Sequence, residues 1–372
     1  MSIKLHPPVP FMEDLAAELL VDIFEFACVG DHGQTARSLS LISRRIREAS
    51  RPFLFRAIFL HATPTKLQQL IHRMEVERER CPGMRPRCRH LFLECPHMDP
   101  DESAEFPTID DSPTSFHGEP SSSVLSYSTH QRMATFWEQW SRLVSSLLRA
   151  TAPDLETFTF ASHSDFPGPI AFPCFFPALR ELCVVPCGLS PSFSVTTTHP
   201  PVFPSLQRLH LVSLSEEFPS SFASLVQHTP KLTHLRFSNL ARQRNLRALL
   251  NLYKDSNPDP ALPNLQRVLI QPSSPPWPDG PCGSPYMLYL DFVTRLWCSA
   301  QLARVPVYLV PGNVKFREAD HENLVQKTRE EWLDRIAGRE GCWAVEEDWA
   351  NRNVDGHAIP WHLLLMARER GA

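Results

Sequence analysis

The chain has 372 residues, 42% of them hydrophobic, and its 37 Lys plus Arg against 41 Asp plus Glu give a formal net charge of -4. That is enough apolar material for a large core in one or two domains, and the near balance of charge excludes the basic excess of a dedicated nucleic-acid binder. No run of about 18 apolar residues points to a membrane-spanning helix, and ten dispersed cysteines fit a reducing compartment, cytoplasmic or nuclear, better than a secreted disulfide framework. Residues 1 to 20 show no basic start followed by an apolar run, so no secretory leader is expected. Thirty-six prolines against thirteen glycines predict rigid, extended connections.

In chain order, Leu15, Leu19, Leu20, Ile23, Phe24 and Ala27 fall at helical spacing and predict an amphipathic helix ending near Gly30. Ala36, Leu39, Ser40, Ile42, Ser43, Ile46 and Ala49 predict a second, stopped by Pro52, with Phe53, Leu54, Phe55, Ile58, Phe59 and Leu60 as an apolar tail closing a small all-helical unit over 12–60. Thr63-Pro64 is a helix-start signal, and Leu67, Leu70, Ile71 and Met74 mark one face of the helix that follows. Residues 61–95 thus comprise a linking helix and a first strand. Between Pro96 and Pro120 stand seven carboxylates and no Lys or Arg, so 96–129 reads as a disordered acidic insertion. After it, Phe136, Trp137, Trp140, Leu143, Val144, Leu147 and Leu148 predict a strong amphipathic helix.

One short phrase then organises the chain. An apolar residue is followed at +3 and +5 by two more in Cys88-Leu91-Leu93, Leu155-Phe158-Phe160, Leu179-Leu182-Val184, Leu206-Leu209-Leu211, Leu232-Leu235-Phe237 and Leu265-Val268-Ile270, with a weaker seventh at Leu302-Val305-Val307. From the second phrase on, the steps are 24, 27, 26, 33 and 37 residues. Repetition on this period predicts a solenoid over 130–312, in which the phrase residues point inward from strands of a shared parallel sheet. Helical stripes at 217–228, 240–254 and 284–299 return the chain, whereas 161–176 and 186–203 read as extended. Leu324, Val325, Thr328, Trp332 and Ile336 predict a helix ended by Gly338, which caps the last apolar face within a C-terminal cap and tail over 313–372.

The residues between the phrase positions form outward columns. His90, Thr157, Glu181, Arg208, His234 and Arg267 make one, and Phe92, Thr159, Cys183, His210, Arg236 and Leu269 the next. Arg208, His210, His234, Arg236 and Arg267 should therefore share one face, a basic patch suited to an acidic or phosphorylated protein segment. Cys81, Cys88, His90, Cys95 and His97 are the densest group of zinc-ligand types, but they include no close C-x-x-C pair, and Cys88 and His90 point to opposite faces. Cys174, Cys183 and Cys187 read as repeat residues. The common nucleotide, hydrolase and zinc-peptidase motifs are absent. No catalytic residue, metal or cofactor is expected.

The phrase resembles the strand portion of irregular leucine-rich repeats, and Cys187 falls where that family often has Asn or Cys. Asp14-Leu15-Ala16-Ala17-Glu18-Leu19-Leu20-Val21-Asp22-Ile23-Phe24 and Arg37-Ser38-Leu39-Ser40-Leu41-Ile42-Ser43-Arg44-Arg45-Ile46-Arg47-Glu48 resemble the two helix patterns of the F-box, with Ala16 standing where that family usually has proline. The implied fold class is α/β, an irregular leucine-rich-repeat solenoid preceded by a small all-helical F-box. The implied function is that of a substrate receptor in a Skp-cullin-F-box ubiquitin ligase, not itself an enzyme. Its partners are then a Skp-type adaptor, through it a cullin, and an unknown protein target, with no nucleic acid and no membrane. On that resemblance Leu15, Leu19, Leu20, Ile23, Phe24, Leu39, Ile42 and Ile46 divide between holding the helical unit together and inserting into the adaptor.

Overall fold

The recurring phrase folds as a ladder. The computed structural model describes residues 15–28, 34–81, 86–95, 122–162, 170–185, 193–195, 201–212, 225–240, 262–273, 284–301, 305–310 and 321–344. Eight strands form one open sheet in which every neighbouring pair is parallel. In spatial order they are β1 (Ala57–His61), β2 (His90–Glu94), β3 (Thr157–Ala161), β5 (Glu181–Val185), β7 (Arg208–Val212), β8 (His234–Leu240), β9 (Arg267–Pro272) and β10 (Val307–Leu309). β4 (Ile170–Phe172) and β6 (Phe193–Val195) make a separate parallel pair within the connections expected to be extended.

Register follows the apolar pattern. Leu91, Phe158, Leu182, Leu209, Leu235 and Val268 share one rung across the sheet, and Leu93, Phe160, Val184, Leu211, Phe237 and Ile270 share the rung two residues on. All twelve are buried, and a slip of one residue would turn a whole strand's apolar set to the other face. The prolines before the phrases also have a geometric cause. Leu206, Leu232 and Leu265 donate their N–H to the carbonyls of Phe203, Thr229 and Leu262 at 3.3, 3.1 and 3.3 Å. Each bond closes a turn whose second residue is Pro204, Pro230 or Pro263, where the fixed φ of proline fits.

Two strands depart from the expected register. The tail expected to close the helical unit divides: Phe53 and Leu54 join that unit's core, whereas the rest leads into β1, since Phe55, Ile58 and Leu60 repeat the +0, +3, +5 spacing and pair Ile58 with Leu91 and Leu60 with Leu93. At the far edge Val307 pairs with Val268 and Leu309 with Ile270, so the seventh phrase sits two residues later than Val305-Val307. The face is preserved because side chains alternate with a period of two.

Helices cover the phrase face. α4 (Pro64–Arg80) begins as its start signal requires, with Thr63 Oγ1 accepting the N–H of Lys66 at 3.4 Å, and it buries Leu67 and Met74. α5 (Ser122–Thr151) buries Phe136, Trp137, Trp140, Val144, Leu147 and Leu148. It starts inside the segment assigned to the acidic insertion, of which 96–121 lies outside the described residues. The Trp140 indole N–H donates to the Ala62 carbonyl at 2.6 Å, tying α5 to the end of β1. α6 (Ser284–Gln301) buries Tyr289, Phe292, Val293 and Leu296. The stripe at 240–254 and most of that at 217–228 also lie outside the described residues.

Ahead of the sheet, α1 (Ala17–Ala27), α2 (Gln34–Leu39) and α3 (Arg44–Ser50) pack around Leu20, Phe24, Cys28, Ala36, Ile46 and Phe53. The expected second helix is two helices, because Ser43 Oγ accepts the N–H of Ile46 at 3.3 Å and caps a new start. A capping serine offers the backbone an alternative to continuing the helix.

The last described segment, α7 (His321–Ile336) with a tight turn at Gly341–Trp343, does not cap the end of the sheet as expected. It crosses the face opposite the phrase residues. Trp332 meets Phe92 edge-on, the Arg329 guanidinium lies 4.0 Å from the Phe59 ring centroid, and Trp343 packs against His210 and His234. The reason is apolar surface on that face too: Ala57, Phe92, Ala161, Cys183, Val185 and Val212 are buried with Val325, Trp332 and Ile336. Strands of a parallel sheet need cover on both sides. Gly338, at φ 81°, ends α7 as expected.

Candidate functional site

Two surfaces carry the residues singled out by the sequence. In the helical unit they divide cleanly. Leu20, Phe24 and Ile46 are buried and Leu15 and Leu39 are partly buried among them, whereas Leu19, Ile23 and Ile42 are 52%, 42% and 60% exposed. The same unit also exposes Phe26 at 85% and Leu41 at 80%. Of eight large hydrophobic residues exposed among the described residues, five therefore belong to this one small unit. Leu19, Ile23 and Phe26 stand at i, i+4 and i+7, one stripe of α1. Leu41 and Ile42 occupy the turn that Ser43 creates. Sequence reasoning missed Phe26, which the helical spacing permits, and Leu41, whose exposure depends on the unseen break between α2 and α3.

The basic patch is brought together but is not an open surface. His210 and Arg236 are buried beneath the C-terminal segment. Arg236 donates from Nε to Ser238 Oγ at 3.0 Å, from Nη2 to Gln271 at 3.3 Å and from Nη1 to the Cys342 carbonyl. Arg208, His234 and Arg267 are half-buried. Arg208 lies 3.7 Å from the Glu181 carboxylate, and Arg267 donates to the Trp343 carbonyl at 3.5 Å while its guanidinium stacks 4.9 Å from the Tyr308 ring centroid. These cations are already occupied within the chain. The expectation that all five receive a target is therefore corrected, for the face had to be covered and its polar groups satisfied from within.

Glu181 is the anchor of that cover. Its carboxylate accepts Arg335 Nε at 3.0 Å and Trp343 Nε1 at 3.1 Å, and Arg335 Nη2 stands 3.0 Å from the same group. Burial raises its pKa, with the Arg335 charge and the hydrogen bonds from Trp343 and Arg335 pulling the other way. Nearby, burial lowers the His210 pKa well below the usual imidazole value, and the Arg236 and Lys327 charges act in the same direction.

The cysteine and histidine residues near 88 behave as repeat residues. Cys88 is buried in the main core, while His90 Nδ1, on the other face, bonds Thr157 Oγ1 at 3.0 Å. Cys95 is also in the main core, and His97 lies outside the described residues. Cys183, by contrast, has His210 Nδ1 3.5 Å from its Sγ. Compared with known proteins, the chain matches no family model, no curated protein and no solved structure. Among the described residues no helix is long and apolar enough to cross a membrane.

Proposed function

We propose that this chain is the substrate-recognition subunit of a Skp-cullin-F-box ubiquitin ligase, acting in the cytoplasm or nucleus. Residues 12–60 serve as an F-box that docks on a Skp-type adaptor and through it a cullin, and the repeat sheet with its helices carries a protein target as a leucine-rich-repeat body. The chain contributes position rather than chemistry, raising the target's effective concentration near a ubiquitin-charged enzyme. The observation that carries this reading is the concentration of exposed Leu19, Ile23, Phe26, Leu41 and Ile42 on a helical unit whose internal core is already supplied by Leu20, Phe24 and Ile46. A monomer gains nothing from such a patch, whereas helix-in-groove docking buries it, at about 1.5–3 kcal/mol for each fully covered side chain. The target's docking position is not the inner part of the basic patch, whose charges are paired with the chain's own C-terminal segment.

The test is capture of the full chain by a purified Skp-type adaptor. Wild type is retained, and Leu19→Asp with Ile23→Asp is lost while remaining folded by circular dichroism. Failure of wild type to bind, or undiminished binding by the double variant, overturns the reading and leaves a repeat scaffold with no ubiquitin role.

A further inference from the structure

One group of side chains on the covered face has the types and spacing of a metal site. His210 of β7, Glu331 of α7 and Cys342 of the final turn each offer one donor atom, and these three atoms lie within 4.8 Å of one another. Cys183 of β5 adjoins them, its Sγ being 3.5 Å from His210 Nδ1. Both cysteines and the histidine are buried, although no apolar need calls for a histidine and a carboxylate there. We propose that Cys183, His210, Glu331 and Cys342 form a zinc site that fastens the C-terminal segment to the sheet.

The distances suit that ion. With Zn–S of about 2.3 Å and Zn–N of about 2.0–2.1 Å, the sulfur-to-nitrogen edge of a tetrahedral site is about 3.6 Å. Cys183 and His210 already stand at that separation, and the donor atoms of His210, Glu331 and Cys342, within 4.8 Å of one another, need to draw closer to reach it. Two thiols, an imidazole and a carboxylate are the mixed soft and borderline set that zinc prefers. Support behind the ligands is also in place. Ser238 Oγ accepts Arg236 Nε–H and lies 3.0 Å from His210 Nε2. An oxygen that already accepts from the permanently charged guanidinium can accept a second bond from Nε2–H, which leaves the Nδ1 lone pair facing Cys183.

Charge closes as well. Two thiolates, one carboxylate and Zn2+ sum to a single negative charge, and Arg236, donating to the Cys342 carbonyl, supplies the opposite one. Forming the two Zn–S bonds releases two thiol protons to solvent, protons that burial otherwise retains on Cys183 and Cys342. Burial, with the Arg236 and Lys327 charges, lowers the His210 pKa and so favours the neutral form in which an imidazole ligates.

The test uses the full chain, stripped with a chelator under reducing conditions and titrated with Co2+ and then Zn2+. The expected result is about one Co2+ per chain with a thiolate-to-cobalt charge-transfer band that Zn2+ abolishes. Cys342→Ser roughly halves the band, and Ser238→Ala keeps it but binds Zn2+ about 10–100-fold more weakly. A measurement on the unaltered chain guards against misfolded variants: Zn2+ slows alkylation of Cys183 and Cys342, mapped by mass spectrometry. The site is disproved by absence of the band, by its survival in Cys183→Ser with Cys342→Ser, by alkylation indifferent to saturating Zn2+, or by a Cys183–Cys342 disulfide in the unreduced, metal-free chain.

Discussion

The two faces of the sheet obey different rules. On the phrase face each rung repeats one residue class, so Leu182, Leu209 and Leu235 are interchangeable in kind and neighbouring repeats supply one another's packing. On the opposite face each rung differs, from Thr157 to Glu181 to Arg208 to His234, and the partner is a segment more than a hundred residues away for much of its course. Repetition stabilises the first face through many equivalent contacts. The second depends on individual ones, so single substitutions should detach its cover without dissolving the ladder.

The largest effect belongs to the repeated face. Leu209→Ala is expected to cost about 2–5 kcal/mol in urea denaturation and to lower protection from hydrogen exchange throughout the central strands. A loss confined to the C-terminal segment would erase the distinction between the faces. Next comes Gly341→Ala, because Gly341 has φ 52° and a Cβ there would stand 2.6 Å from the Glu331 carbonyl oxygen. Its cost is expected at about 1–3 kcal/mol. Exchange should quicken at amides 325–336 while those of Leu209 and Leu211 keep their protection.

Acid sharpens the comparison further. His90, held down to about 4 chiefly by burial with Arg56 and Arg89 adding, and His210, lowered well below the usual imidazole value by burial, both occupy the non-repeating face. Below pH about 6.5 the unfolded imidazoles take up protons that the folded ones refuse, so stability falls with pH through that window. Glu181 and Glu331 oppose this, since burial raises their pKa values and the folded state gains as they protonate. The histidine part is isolated by difference: His90→Asn should show a shallower decline between pH 6.5 and 4 than wild type, and an unchanged slope would remove His90 from the account. The smallest effect is expected at the helical unit's surface. Leu19→Asp should change folding stability by no more than about 0.5 kcal/mol, whereas its neighbour Leu20→Ala, in that unit's core, should cost about 2–5 kcal/mol.

This contrast also explains what could be read from the chain beforehand. The +3 and +5 positions, the parallel sheet, the start of α4 and the end of α7 follow from local periodicity, capping and turn chemistry, which leave their mark within a few residues. β1 was misread because Phe55, Ile58 and Leu60 immediately follow a helical unit to which an apolar tail equally belongs. The cover over Glu181, His210 and Arg236 left no local mark at all, since its partners Arg335, Cys342 and Trp343 lie far along the chain. A periodic helix predicts that a face will be buried, not which surface buries it. For the same reason the outward basic column was legible as a set and its occupation by the C-terminal segment was not.

Arg56 belongs to two structures at once. Its guanidinium pairs with Glu25 of α1 at 2.7 Å, while its carbonyl accepts the N–H groups of Arg89 and His90 at 2.9 and 2.9 Å where the ladder begins. No flexible spacer separates the last turn of the helical unit, Arg51–Phe53, from Ala57. Whatever docks on Leu19 and Ile23 is thus aimed rather than tethered. On the function proposed above, the span from that partner to cargo on the sheet would be set by rigid geometry instead of by the square-root law of a random coil, limiting reach to a fixed arc.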